Sequence, residues 1–163
     1  MKEKMNPERG MQPVQTVQAV SVKNMAEYSA SPINLDRLLI LFQRRYNILR
    51  ETRRITDDLA EATSRHDVVS TELELQMRRD QLQMLDNNWQ EICLMGETDE
   101  AAGAEIQRLV LSDPTQLHSS IPKEERLYEL RRTCRRLLKG IQQKDRVISL
   151  QAVHEKSVYF NKM

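Results

Sequence analysis

The sequence predicts an all-α protein built from long amphipathic helices, arranged as a coiled coil or an antiparallel helical bundle. Three observations carry this. The 163 residues include only four glycines and 4% aromatics, whereas a sheet protein draws on glycine for its turns and on aromatic and β-branched residues for its strands. Charged residues make up 30% and hydrophobic residues 39%, the kind of balance that long helices select. Apolar residues also recur along much of the chain at alternating three- and four-residue spacings, the mark of a helix with one buried stripe.

Residues 1–31 are polar, rich in Gln, Met and Ser, and keep no sustained period. They are expected to form a flexible tail, with one short ordered piece near residues 17–25. Residues 32–96 are expected to form a helical hairpin or one kinked long helix. Pro32 suits a first helical turn, and Asn34 is placed to cap "LDRLLILF". From there to about residue 63, Ile48, Thr52, Ile55, Leu59 and Ala62 recur at 4-3-4-3 spacing, with Leu38, Leu41 and Phe42 broadening the stripe. At "SRHDVVSTELE" the pattern falters. Ser64 with Asp67, and Thr71 with Glu74, both resemble capping boxes, and a helix read straight through changes phase here. A kink and a break are both open.

The next helix, about residues 72–95, puts Leu75, Leu82 and Trp89 at one heptad position and Leu85 and Ile92 at the other. Trp89, the chain's one tryptophan, is therefore expected to pack into a partner helix. Met77 and Met84 lie one heptad apart beside this line and are expected to widen it. Gly96 marks a helix end, and residues 97–120 are expected to hold a short helix followed by the loop "SDPTQLHSSIP". The C-terminal amphipathic helix spans residues 121–157, with Ser120 available as its cap. Its stripe runs Leu127, Leu130, Cys134, Leu137, Ile141, Lys144, Ile148, Gln151. The second half of that stripe is polar, so packing should loosen toward the C-terminus.

None of these helices can bury its stripe alone. Full burial of a leucine side chain is worth roughly 1.5–3 kcal/mol, and several per helix would leave a wet apolar strip unless helices pair. The expected outcome is an intramolecular antiparallel bundle that also self-associates through leftover surface. The partner is then a protein, either another copy or another helical subunit. The seams that would carry such pairing are Leu75, Leu82, Leu85, Trp89 and Ile92, together with Leu127, Leu130, Leu137 and Ile141.

Net charge is only +1 but unevenly laid out. Residues 36–54 carry six basic and two acidic side chains, residues 57–105 three basic and thirteen acidic, and residues 123–146 nine basic and four acidic. An acidic middle between basic flanks can neutralise itself within a bundle, which weakens the case for an external polyanion. The alternative reading is a nucleic-acid-associated factor that uses arginine doublets on the first and last helices, Arg44–Arg45 and Arg53–Arg54 together with a phosphate-contacting face of "RRTCRR" formed by Arg131, Arg132, Arg135 and Arg136.

The residues offer no catalytic or cofactor signature. Cys93, Cys134, His66, His118 and His154 show no zinc-ligand spacing. Asp57–Asp58 and Glu124–Glu125 are consecutive and diverge on a helix, so neither forms a dyad. There is no glycine-rich phosphate loop. A non-enzymatic protein without cofactor or metal is expected. No apolar targeting segment follows the first lysines, and "LLILF" is far too short to cross a bilayer. With both cysteines read as reduced, the expected location is intracellular, cytoplasmic or nuclear, with no membrane partner.

The stretch "RRYNILRETRRITDDLAEA…TELELQMRRDQLQMLDNNWQEI", residues 44–92, resembles the N-terminal helical region of Gag-like polyproteins from insect BEL/Pao-type retroelements. Leu85, Asn88, Trp89 and Ile92 match the cadence of that region. The resemblance implies a fragment that keeps self-association and lacks the capsid, zinc-knuckle and protease regions. "LDNNWQEI" also resembles part of a spectrin-type repeat, in which a tryptophan packs at the centre of a three-helix unit.

Overall fold

The Asn34 side chain accepts a hydrogen bond from the Arg37 N–H at 3.0 Å and starts α1, Leu35–Ser64. That is the cap the sequence predicts. The computed structural model describes residues 31–160, with side chains through His154. The expectation of a flexible N-terminal tail falls outside that range. After α1 come α2 (Val68–Leu94), α3 (Glu100–Ile106), a π-helical turn (Gln107–Leu111) and α4 (Pro122–Phe160). The described residues contain no strand.

Between α1 and α2 the chain breaks rather than kinks. His66 takes φ 56°, a left-handed conformation that ends α1. The Asp67 side chain then accepts from the Ser70 N–H and hydroxyl, which starts α2 four residues earlier than the periodicity predicts. Ser64 forms no capping box; its hydroxyl donates back to the Glu61 carbonyl. At the far end of α2, Gly96 is needed for close approach. A Cβ there would sit 3.2 Å from the Ile106 Cβ, where α3 folds back against the end of α2. The start of α4 is closed by Glu124 and Glu125 reaching back to Ser119, whereas the sequence pointed to Ser120.

Successive long helices alternate in direction. Lys123 meets Asp36 at one end of α4 and Lys144 meets Asp57 further along, both pairs 87 residues apart. That constant offset means α4 runs parallel to α1 in fixed register. Asn88 Nδ2 donates to the Leu41 carbonyl at 2.9 Å and Arg45 reaches the Leu85 carbonyl at 3.5 Å, so α1 numbering rises as α2 numbering falls and the two helices are antiparallel. α1 packs against both α2 and α4, which explains its broad buried stripe of Leu38, Leu41, Phe42, Ile48, Leu49, Thr52, Ile55, Thr56, Leu59 and Ala62. Its two buried threonines donate to carbonyls four residues back, at 2.8 and 2.7 Å, so no hydroxyl is left unsatisfied.

The core is thickest near the start of α1. There Leu38, Leu41 and Phe42 meet Ile92 of α2, Leu127 and Leu130 of α4, and Ala102, Ile106, Leu109 and Val110 of the α3 and π-turn cover. A second cluster of Ile48, Leu49, Leu85, Cys134 and Ile141 continues along the bundle. Beyond it α2 and α4 are joined by a bidentate ion pair, Arg78 to Asp145. Packing loosens toward the end of α4 as predicted: Gln151 is exposed, with Val147, Leu150 and Val153 also in solvent.

Candidate interaction surfaces

The predicted partner-binding residues divide into two groups. Leu85, Ile92, Leu127, Leu130 and Ile141 are buried in the chain's own core, so in this fold they serve intramolecular packing and are not available to a partner. Leu137 is half-buried against the second cluster. Leu75 and Leu82 are different: they are 44% and 41% exposed. The Leu75–Leu82–Trp89 half of the predicted α2 seam therefore lies one position outside the inward line, while Leu85 and Ile92 belong to it. Thr71, Glu74, Arg78, Gln81, Leu85, Asn88 and Ile92 form the inward line, with 3-4 spacing, and only its last three members are fully buried. The Leu75–Leu82 line runs along its outer border.

Val68, also exposed, stands seven residues before Leu75, so Val68, Leu75 and Leu82 recur at one heptad position on the outside of the molecule. Glu72, Arg79 and Asp86, all exposed, flank the line. On the opposite border Leu73 and Met84 are exposed. Trp89 shares the heptad position of Leu75 and Leu82 but is only half-buried against the main cluster. The Arg45 guanidinium lies 5.2 Å from its ring centroid, a cation–π arrangement, where the sequence reading expects enclosure by a partner helix.

The four arginines of "RRTCRR" likewise separate. Arg131 is buried and donates to the carbonyls of Leu109, at 2.9 Å, and Ser112. Those carbonyls belong to the end of the π-helical turn, which has no further helical donors for them. Arg132 donates to the Pro114 and Leu117 carbonyls at 3.1 and 3.0 Å and pairs with Glu125 at 2.9 Å. Both thus hold the 109–117 segment onto α4. Arg135 is exposed and pairs with Asp113 at 2.8 Å. Arg136 is exposed, with one 3.2 Å contact to the Thr133 hydroxyl. Arg108 adds a further clasp, bridging Glu105 and Glu124 at 2.6 Å each. Hydrogen bonding from Arg108, aided by the Ser119 hydroxyl, holds the Glu124 carboxyl below its ordinary range.

Cys93 is exposed and Cys134 buried, and both are free thiols. Burial pushes the Cys134 thiol up to about 11, so it stays protonated and inert near neutral pH. Among the described residues no group of three or more His, Cys, Asp or Glu is placed to hold a metal ion, and no helix is long and apolar enough to cross a membrane.

Among the described residues, three long helices with α1 in the middle and a helical cover at one end define a helical bundle with an exposed apolar line on the outside of α2. No family model, curated protein or solved structure matches this chain.

Proposed function

We propose that this chain is a non-enzymatic helical interaction module, a scaffold subunit that self-associates or pairs with a helical partner inside the cell. The observation that carries this reading is the exposed heptad line Val68–Leu75–Leu82, left outside after the bundle has formed its own core. Three large apolar side chains seven residues apart supply one of the two apolar positions of a coiled-coil heptad, and Glu72, Arg79 and Asp86 beside them supply mixed charge for setting register. The resemblance to retroelement and spectrin helical regions supports the same direction.

Light scattering against protein concentration tests it. The wild-type chain is expected to rise from monomer mass toward a dimer or larger assembly as concentration increases. The double variant Leu75→Glu/Leu82→Glu is expected to stay monomeric with an unchanged helical spectrum, because both side chains lie outside the core. A wild-type chain that stays monomeric at every concentration, and captures no helical partner through this line, contradicts the proposal.

A second reading, nucleic-acid association, is supported by the outer surface of α4, where Arg135, Arg136, Lys139 and Arg146 are all exposed. It predicts binding that weakens steeply with salt. Given the internal contacts of Arg131 and Arg132, such binding would depend on Arg135 and Arg136 rather than on the whole motif.

A further inference from the structure

Between α2 and α4, at the level of Arg45, the surface opens into a cleft of about 440 Å³. Its lining includes Arg45 and the edge of Phe42 from α1, Trp89 of α2, Arg131 and Arg135 of α4, and Asp113 of the connecting segment. Three guanidiniums therefore face one carboxylate. That carboxylate already has partners: Arg135 at 2.8 Å and the Thr115 N–H and hydroxyl.

Among the described residues, no acid lies within ion-pair distance of Arg45 or Arg131. Arg45 reaches the Leu85 carbonyl and Asn88 Oδ1 only at 3.5 Å, the outer limit of a hydrogen bond. Arg131 donates to carbonyls alone, apart from a 3.5 Å contact with the Ser112 hydroxyl. A carbonyl satisfies an N–H group but does not cancel a positive charge, and charges withdrawn from water are ordinarily paired. Desolvation lowers the pKa of both arginines below the usual value. The cleft thus holds two partly desolvated cations beside the Trp89 ring, with Asp86 acting on Arg45 and Asp113 on Arg131 only through space rather than as ion-pair partners.

We propose that this cleft binds a small organic anion, a carboxylate or phosphate carried on a flat apolar body. The anionic group sits among Arg45, Arg131 and Arg135, and the body lies against the half-exposed Trp89 ring. A guanidinium presents its donors in a planar fork that fits carboxylate and phosphate oxygens. The volume falls in the range of ordinary small-ligand sites, and the half-exposed Trp89 ring favours a flat ligand over a bare inorganic ion. This site is separate from the Leu75–Leu82 line and stands or falls independently of the assembly reading.

The chain's one tryptophan makes the test direct, since Trp89 gives a single indole N–H resonance in a nitrogen–proton correlation spectrum. The probes are 2-naphthoate, phenyl phosphate, inorganic phosphate and the neutral 2-naphthalenemethanol. Both organic anions are expected to move the indole resonance saturably, with the tighter of the two identifying the preferred acid. Inorganic phosphate and the neutral alcohol are expected to bind at least about tenfold more weakly. Arg45→Gln and Arg135→Gln are each expected to weaken the organic anions by about tenfold. Arg135→Gln alters an exposed side chain, so it reports even if Arg45→Gln unfolds. The proposal is overturned by no saturable shift up to about 10 mM, by equal binding of the neutral alcohol or inorganic phosphate, or by unchanged affinity in folded variants.

Discussion

Replacing Ile92 with alanine is expected to cost about 3–4 kcal/mol and to lower the melting temperature by roughly 10 °C. Ile92 is 0% exposed and sits where α1, α2, α4 and the α3 cover meet. The loss combines the transfer free energy of the missing carbons with the cavity left behind, because four elements would have to shift together to close it. α2 has only three buried positions, Leu85, Asn88 and Ile92, so removing one withdraws a large share of what holds it to α1. Thermal denaturation followed by circular dichroism measures the effect. A loss below about 1 kcal/mol, typical of surface and half-exposed sites, would mean that this end of the bundle is open to solvent.

Arg131→Met is expected to destabilise by about 2 kcal/mol, through two opposing effects. Removing the charge relieves the desolvation that lowers the arginine's pKa, which by itself favours methionine. Against this, the carbonyls of Leu109 and Ser112 lose their donor, and an unsatisfied buried acceptor costs about 1–3 kcal/mol. With two acceptors orphaned at the end of the π-helical turn, the second effect wins. The 109–117 segment should then exchange its amide hydrogens faster than α1 does. A melting temperature that stays level or rises in Arg131→Met would show that desolvation dominates and that the guanidinium does not clasp this segment.

The fold was largely legible because α1 announces itself. Its seam positions are apolar or threonine, and its stripe is broad enough to require neighbours on two sides. α2 was harder. Its inward line begins Thr71, Glu74, Arg78, Gln81, and hydrophobicity alone steers a reader to Leu75 and Leu82 instead. What makes the polar line the inner one is non-local: Asp145 across from Arg78, and the Leu41 carbonyl across from Asn88. The one signal that could have revealed it is phase, since Leu85, Asn88 and Ile92 continue the spacing of Thr71 and Arg78. Similarly, charge density made "RRTCRR" look like one phosphate-contacting face. The loop carbonyls that occupy Arg131 and Arg132 lie 15 to 22 residues upstream, and a helical wheel does not contain them. Whether the chain kinks or breaks near His66 was open for a related reason: two capping patterns compete there, and the fold uses neither, with Asp67 capping α2 instead.

The phase of α2 underlies both the core and the surface described above, and a pair of alanine substitutions three residues apart tests it most directly. Melting Leu82→Ala and Leu85→Ala side by side at low protein concentration should separate them clearly. Leu85→Ala is expected to lose about 2–3 kcal/mol, while Leu82→Ala stays within about 1 kcal/mol of wild type. Equal losses, or a larger loss at Leu82, would contradict the account by placing the leucine line inside the fold.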